Sequence, residues 1–193
     1  YRLCRAREGG TVTPFRLEST QPGLLDRLVW RRCERVPPGP GQVEVRVAAA
    51  ALNFRDVLKA LGLYPGDAAD LAAFGDEAAG DITAVGPDVT ARRVGDAVIV
   101  LGQHCLAAYV TVPAAATVLK PEGMGFAEAA SVPVVFRTAW YALVHGARLR
   151  VGEKILIHAA SGGVGLVAVR LVQGLGAEVF GTAGSEEKRE FLR

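Results

Sequence analysis

Cysteine is scarce in this chain of 193 residues. The three cysteines, Cys4, Cys33 and Cys105, are odd in number and far apart in the sequence. This spacing indicates neither a disulfide framework nor a pair of cysteines that would clip a metal ion. All three thiols are expected to be reduced and to take no part in function.

The chain also lacks an excess of either charge and any apolar run of bilayer-spanning length. It has 22 lysines and arginines against 20 aspartates and glutamates, which argues against nucleic acid as a partner. Charged residues, prolines and glycines interrupt the apolar runs, and no basic and apolar leader opens the sequence. A cytoplasmic protein without membrane contact is therefore expected.

What is present up to about residue 119 is a series of short strand patterns with turns rich in proline and glycine. Because the strands recur at close spacing, they predict a compact, β-barrel-like domain. The predicted strands are 15–18, 28–32, 42–49, 81–85, 97–100 and 107–112.

Two further regions predict helices. Residues 53–61 form the first, in which the adjacent Arg55 and Asp56 point in different directions and need separate partners. Residues 126–145 predict two helices that part near Pro133. The first helix has apolar residues on one face, namely Phe54, Val57, Leu58 and Leu61.

The stretch 154–165 is typical of a buried strand that runs into a glycine-rich turn and then a helix. Residues 178–182 predict a second strand of the same βαβ unit. Since the first amides of a helix are unpaired and its dipole is positive there, the turn predicts a pyrophosphate site. A glycine-rich turn without a ligand is the alternative. The candidate contacts are Ala160, Ser161, Gly162, Gly163, Val164 and Gly165.

Several motifs occur in the order seen in medium-chain dehydrogenase/reductases. Within that superfamily the chain most resembles the enoyl reductase domain of modular polyketide synthases, and the quinone oxidoreductases are farther relatives. The resemblance covers essentially the whole chain. The motifs are Asn53-Phe54-Arg55-Asp56-Val57-Leu58, Leu63-Tyr64-Pro65-Gly66, Gly75-Asp76-Glu77-Ala78-Ala79-Gly80, Arg93-Val94-Gly95-Asp96-Ala97-Val98, Thr138-Ala139-Trp140-Tyr141-Ala142-Leu143 and residues 158–165.

This resemblance implies a GroES-like β-barrel substrate domain at residues 1–122 and the first part of a Rossmann NADPH-binding domain at 123–193. It implies that NADPH reduces an enoyl thioester, which an acyl carrier protein presents on phosphopantetheine among neighbouring synthase domains of a multifunctional enzyme. Two strands fall short of the roughly six of a dinucleotide fold, so the chain is expected to be an incomplete fragment, inactive on its own.

Two metal ligands of related enzymes are missing from the sequence. Zinc-dependent relatives have cysteine and histidine where this chain has Asn53 and Asp76, and the structural zinc loop of four cysteines is absent. His104 and Cys105 are adjacent, but chance is the favoured explanation. A zinc-independent reductase of a C=C bond conjugated to a thioester is therefore expected, and the enolate it forms needs oriented donors and a proton.

Three motif residues are candidates for the reacting end of the site. By resemblance, Tyr64 is the catalytic acid that protonates the α-carbon, and the alternative is that its ring only caps the preceding helix. Asn53 and Thr138 match family positions that contact the nicotinamide half of the cofactor. Asn53 is equally suited to be an N-cap, and Thr138 to be an ordinary helix-face residue.

The end of the second strand of the βαβ unit favours NADPH over NADH. An NAD-specific fold places a carboxylate there, whereas this chain continues with small residues and basic side chains. By resemblance Lys188 binds the ribose phosphate, and a solvated lysine is the alternative. Glu186 and Glu187 weaken the case, because either can turn inward. The candidate contacts are Thr182, Gly184, Ser185 and Lys188.

Two other functions stay open. A stand-alone, zinc-free quinone or enone oxidoreductase shares the fold and the cofactor. A scaffold or interaction domain keeps the fold and has lost turnover. Turnover of free quinone against a carrier-bound enoyl thioester separates the two enzymes, and absence of NADPH binding favours the scaffold.

Overall fold

The computed structural model describes residues 13–193, which divide into two compact units. The first unit ends at Ser131 and the second runs from Val132 to Arg193. The boundary predicted between residues 122 and 123 separates a substrate domain from a nucleotide-binding domain. It is defined by function, and it stays a prediction. Cys4 lies outside the described residues.

A five-stranded antiparallel sheet forms the centre of the first unit, and a separate two-stranded hairpin precedes it in the chain. The hairpin consists of β1 (Phe15–Ser19) and β2 (Leu28–Arg32). The strands of the sheet are β3 (Gln42–Ala50), β4 (Glu77–Val85), β5 (Ala97–Leu101), β6 (Tyr109–Pro113) and β7 (Thr117–Leu119). They lie in the order β6-β3-β4-β5-β7.

Valines at alternate positions build the core of this sheet. Because side chains of a strand point to opposite faces in turn, this spacing places one apolar face inward. Glu44 is the exception, since it is buried between two core valines. Its carboxylate pairs with Arg35 and accepts a hydrogen bond of 2.6 Å from Thr83, which compensates its removal from water. The core valines are Val43, Val45, Val98, Val100, Val110 and Val112.

The predicted strands are confirmed with shifted ends, and β4 shows the largest shift. It begins at Glu77 instead of residue 81, through a run of alanine and glycine that has little intrinsic preference for a strand. Pairing with β3 and β5 on both sides overrides that preference. The short strand β7 was not predicted.

The described part of the first unit also contains three α-helices: α1 (Phe54–Ala60), α2 (Ala68–Ala72) and α3 (Phe126–Ala130). The small side chains of α3 pack against Ala79 of β4. The sequence did not predict α2, a five-residue helix with Asp67 as its N-cap, whose carboxylate accepts from the Asp70 amide at 2.9 Å.

The second unit contains the predicted βαβ element. Strands β8 (Lys154–Ile157) and β9 (Glu178–Gly181) are parallel neighbours, and α5 (Gly163–Gly174) connects them. Before them lies α4 (Pro133–Trp140), whose start at Pro133 confirms the predicted break, followed by a π-helical segment (Tyr141–Gly146). Helix α6 (Glu186–Leu192) ends the unit. None of the helices within residues 13–193 has the length and apolar character that a membrane crossing requires.

Candidate functional site

The buried carboxylate of Asp56 fixes the start of α1 to the loop before β4. Its Oδ1 accepts from the Gly75 amide at 2.8 Å, and its Oδ2 accepts from the Asn53 amide at 2.9 Å. Gly75 has a φ of +80°, and a Cβ there would contact the backbone nitrogen of Leu106. Glycine is therefore required at the point where the loop meets Asp56.

The two positions that differ from zinc-dependent relatives are both hydrogen-bonded within the chain. The side-chain amide of Asn53 donates to Glu77 Oε1 at 2.9 Å, and Asp76 forms an ion pair with Arg55. Asn53 also occupies the N-cap position of α1, as one of its two predicted roles requires. The prediction that Arg55 and Asp56 have separate partners is confirmed.

Tyr64 lies at the end of this network, half-buried, with two cations near its ring. The Arg55 Cζ is 5.7 Å and the Lys59 Nζ is 5.5 Å from the ring centroid. Lys59 is buried and donates to the Ala73 carbonyl at 2.5 Å. Burial lowers the pKa of Lys59, and the charge of Arg55 lowers it further. Burial by itself would lower the pKa of Arg55 too, but the hydrogen bond and charge of Asp76, with a smaller contribution from Tyr64, raise it overall.

Helix α1 buries its polar face and exposes its apolar one. Asp56 and Lys59 are buried, whereas Phe54 is 75% exposed. A pattern of apolar residues normally marks the face that packs on the core. Here the carboxylates and amides of the neighbouring loop provide partners for charged residues, so the polar face packs inward.

The turn between β8 and α5 and the first three residues of α5 contain the six predicted pyrophosphate contacts in a tight geometry. Ala159 has a φ of +51°, an unusual value for a residue with a side chain. A Cβ at Gly165 would contact the Ala159 carbonyl oxygen and lie 2.7 Å from the Ala160 Cα, so this position needs glycine. Leu166 has the first amide of α5 with a helical hydrogen bond, and it donates to the Gly162 carbonyl oxygen at 2.8 Å. The amides of residues 163–165 precede it, and the first amides of a helix are the ones that can bind an anion.

Thr182, a predicted cofactor contact, holds the shape of this turn. Its hydroxyl accepts from the Ala159 amide at 3.2 Å and lies 3.2 Å from His158 Nδ1. Its carbonyl accepts from the Ala160 amide at 2.9 Å. These bonds span the carboxyl ends of both parallel strands, the edge where α/β sheets bind ligands.

The other predicted contacts in the second unit have differing surroundings. Ser185 is the N-cap of α6 and accepts from the Lys188 amide at 3.3 Å, while a Cβ at Gly184 would meet nothing within 4 Å. Within residues 13–193, the Lys188 ammonium has no carboxylate partner. Thr138 is exposed and its hydroxyl donates to the Val134 carbonyl at 2.7 Å, the behaviour of a helix-face residue. The cofactor roles of these residues stay predictions.

His104 and Cys105 do not present a pair of metal ligands. Cys105 is fully buried and its thiol donates to the Gly102 carbonyl at 3.1 Å. Burial, reinforced by nearby carboxylates, raises the pKa of the Cys105 thiol to about 12, so it remains protonated and a poor ligand. No cluster of three or more metal-binding side chains occurs in the described part of the chain.

A comparison with known protein families decides the family. The model of the alcohol dehydrogenase GroES-like domain matches residues 39–139, just over half of the chain. The chain belongs to this GroES-like family. The fold class predicted from the motifs, a GroES-like domain followed by part of a Rossmann domain, is thereby confirmed.

Among GroES-like proteins, the similar sequences and structures include polyketide synthases and their reductases. Phthioceranic/hydroxyphthioceranic acid synthase of Mycobacterium tuberculosis is 44% identical over 180 residues, which cover 93% of this chain and 8% of that protein. The crystal structure of CurK enoyl reductase has 45% sequence identity and a TM-score of 0.88, covering 94% of this chain and 57% of its own. The resemblance inferred from the sequence is confirmed.

The quinone oxidoreductases are similar as well. Escherichia coli quinone oxidoreductase, solved in complex with NADPH, has 30% identity and a TM-score of 0.78, covering 91% of this chain and 54% of its own. The chain thus spans less than a tenth of the synthase and a little over half of each of these two structures.

Sequence reasoning missed the surroundings of Tyr64. The sequence motif contains Arg55 but predicts no role for it, and the motif ends before Lys59. A basic residue one helical turn beyond Arg55 was the available signal, because residues four apart share a helix face. The acceptors of Arg55 and Lys59 lie in the loop of residues 73–77. The helical pattern does not specify the structure of that loop.

Proposed function

We propose that this chain is part of an NADPH-dependent enoyl reductase that reduces the α,β double bond of an enoyl thioester on an acyl carrier protein during polyketide chain elongation. The observation that carries the proposal is the likeness to CurK enoyl reductase across 94% of the chain. The partners are the carrier protein with its phosphopantetheine-bound substrate and the neighbouring domains of a multidomain synthase. The length of the Mycobacterium tuberculosis synthase supports this setting.

The choice of NADPH rests on the second unit. Three helix-start amides and the positive end of the α5 dipole suit a pyrophosphate, and Gly165 leaves room for the close turn. After β9, the Glu186 carboxylate is engaged by Arg189, whereas the Lys188 ammonium has no carboxylate partner within residues 13–193. Phosphate on the ribose would therefore meet positive charge.

In the proposed reaction, bound NADPH supplies the hydride that the β-carbon receives. The electron pair of the double bond moves to the α-carbon and thioester oxygen, and the Tyr64 phenol then donates its proton to the α-carbon. Asn53 and Asp76 are engaged by Glu77 and Arg55, which supports a mechanism independent of zinc. The products are the saturated thioester and NADP⁺.

The test uses the full-length protein, NADPH and a crotonyl thioester on the phosphopantetheine of a carrier protein. We expect Tyr64→Phe to lower kcat by about 100-fold or more, since a general acid contributes roughly 10²–10⁴-fold. Tyr109→Phe is the matched control: Tyr109 also lies in the first unit with an arginine, Arg35, 4.3 Å from its ring centroid. Oxidation of NADPH without loss of the crotonyl double bond would reject the reaction.

A quinone oxidoreductase is the second candidate, because the Escherichia coli enzyme shares the fold at 30% identity. Faster turnover of free quinone than of the carrier-bound thioester would favour it. Failure of the full-length protein to bind NADPH would instead favour a scaffold that has lost turnover.

A further inference from the structure

One buried hydrogen-bond donor of the Arg55 guanidinium has no acceptor in the described part of the chain. Its Nη2 is engaged by Asp76, but its Nε is buried and has no acceptor within residues 13–193. A buried donor without an acceptor is destabilising and rare in folded proteins. It therefore needs an explanation.

Tyr64 is the aromatic side chain beside this guanidinium. The 5.7 Å between Arg55 Cζ and the ring centroid lies within the range of a cation–π contact. Against the effect of burial, Asp76 and then Tyr64 raise the pKa of Arg55, in part through hydrogen bonding. The ring of Tyr64 thus lies beside Arg55, and its phenol oxygen is an acceptor of the kind that Nε lacks.

Lys59 is the other cation at the ring, but it is differently placed. Lys59 is 1% exposed, and its ammonium donates to the Ala73 carbonyl, so it braces the loop that contains Ala73. Arg55 is fixed by Asp76, a side chain that is itself mostly buried. A planar guanidinium held at one edge can orient a group at another edge.

We propose that Arg55, anchored by Asp76, is a positioning residue for Tyr64, and that its Nε–H donates a hydrogen bond to the phenol oxygen as Tyr64 gives up its proton. This inference rests on the proposed function. The O–H bond of Tyr64 breaks as the bond between the α-carbon and hydrogen forms, and the phenolate is left beside a guanidinium. A proton from solvent then restores the phenol. A hydrogen bond from a charged donor to an anion is stronger than one to a neutral oxygen, so it favours the proton-transfer state.

The principal variant is Arg55→Lys in the full-length protein, with a crotonyl thioester and NADPH as substrates. Lysine keeps the positive charge and can still reach Asp76, but it has no Nε–H and no planar fork. We expect kcat to fall about 10- to 100-fold, the effect of losing a hydrogen bond to a charged group, with the KM for both substrates unchanged. Arg55→Met is the second variant and should lower kcat at least as far.

The decisive measurement combines each Arg55 variant with Tyr64→Phe. If Arg55 acts through Tyr64, the double variant has the kcat of Tyr64→Phe alone, because the group to be positioned is already gone. A 2-methyl enoyl thioester adds a second readout: the Arg55 variants should scramble the configuration at the α-carbon, which a loss of stability alone does not change. Arg46→Met is the control. Arg46 of β3 also forms an ion pair with an aspartate, Asp81 of β4, at 2.9 Å. This variant should leave kcat unchanged.

The outcomes separate the two proposals. If Tyr64→Phe retains the wild-type rate and α-carbon configuration, the role of Tyr64 fails and the positioning role fails with it. If Tyr64→Phe slows turnover but the Arg55 effects multiply with it in full, or both Arg55 variants have wild-type kcat, only the positioning role is overturned.

Discussion

Alanine at position 165 is expected to weaken NADPH binding strongly, because the turn between β8 and α5 has no space for a Cβ. The added carbon would contact the Ala159 carbonyl oxygen and lie 2.7 Å from the Cα and 2.8 Å from the carbonyl carbon of Ala160. Ordinary contacts begin at 3.4 Å, so the Cβ must lie at least about 0.7 Å farther from the Ala160 Cα, and the Ala159 carbonyl oxygen must move farther still. That shift moves the start of α5 away from the turn.

The size of the effect follows from the hydrogen bonds that the shift disturbs. A hydrogen bond from an amide to a charged phosphate contributes about 1.5–3 kcal/mol. Displacement of one helix-start amide should therefore raise the Kd for NADPH by roughly 10- to 150-fold. The assay is a titration of the full-length protein with NADPH, followed by calorimetry or by cofactor fluorescence.

Gly174→Ala is the matched control, because Gly174 lies in the same helix and a Cβ there would meet nothing within 4 Å. Alanine is the better helix former by roughly 0.5–1 kcal/mol, so this variant should be slightly more stable and bind NADPH with unchanged affinity. Wild-type affinity in Gly165→Ala, with the native fold retained, would refute the assignment of this turn to the pyrophosphate.

Three further predictions concern single side chains. Thr182→Val removes the acceptor of the Ala159 amide and should weaken NADPH binding about 2- to 12-fold, whereas Thr182→Ser should bind almost as the wild type does, in the same titration. Cys105 should react with iodoacetamide at pH 7 more than about 1,000-fold more slowly than a cysteine of the unfolded chain, measured by mass spectrometry, because its pKa is raised to about 12; rapid labelling of the folded protein would contradict its burial. The hydrogen bond from Arg35 lowers the pKa of Glu44 below its ordinary 4.5, although burial opposes it, so the stability that the ionised Glu44 provides should be complete above pH 4.5 and be lost as the pH falls below it. Glu44→Gln should flatten that acid limb in urea unfolding, and an unchanged limb would show that Glu44 does not titrate there.

The βαβ unit could be predicted from the sequence because its signals are local. The apolar run of β8, the glycines of the turn and the helical spacing of α5 follow one another within about twenty residues, and β9 comes next. The tight turn at Gly165 could be expected for the same reason. The bracing of Ala159 by Thr182 could not, since it joins the ends of two strands.

The first unit was harder to predict from the sequence, because strand pairing there overrides the local secondary-structure preference of the residues. Strand β4 begins in the sequence Glu-Ala-Ala-Gly, which favours no strand, and it forms because β3 and β5 offer backbone partners on both sides. Helix α1 was predicted within one residue at each end, but its apolar pattern did not predict that the polar face would be the buried one. Length and period identify a helix, but they do not say what the neighbouring loop contains.

The sequence does not show which charged residues near Tyr64 are buried, and this is why the surroundings of Tyr64 could not be predicted. Once Asp76 is known to be buried, a cation must lie next to it, since an unpaired buried carboxylate would cost several kcal/mol. Arg55 and Lys59 are both within reach of the same loop, and the structure assigns Arg55 to Asp76 and Lys59 to the Ala73 carbonyl. With the partners exchanged, the guanidinium of Arg55 would face a single carbonyl oxygen. The ammonium of Lys59 would then face the Asp76 carboxylate, which can accept a pair of hydrogen bonds from a guanidinium. The observed pairing places the charge of the guanidinium against the mostly buried carboxylate of Asp76, which the proposed positioning role of Arg55 requires.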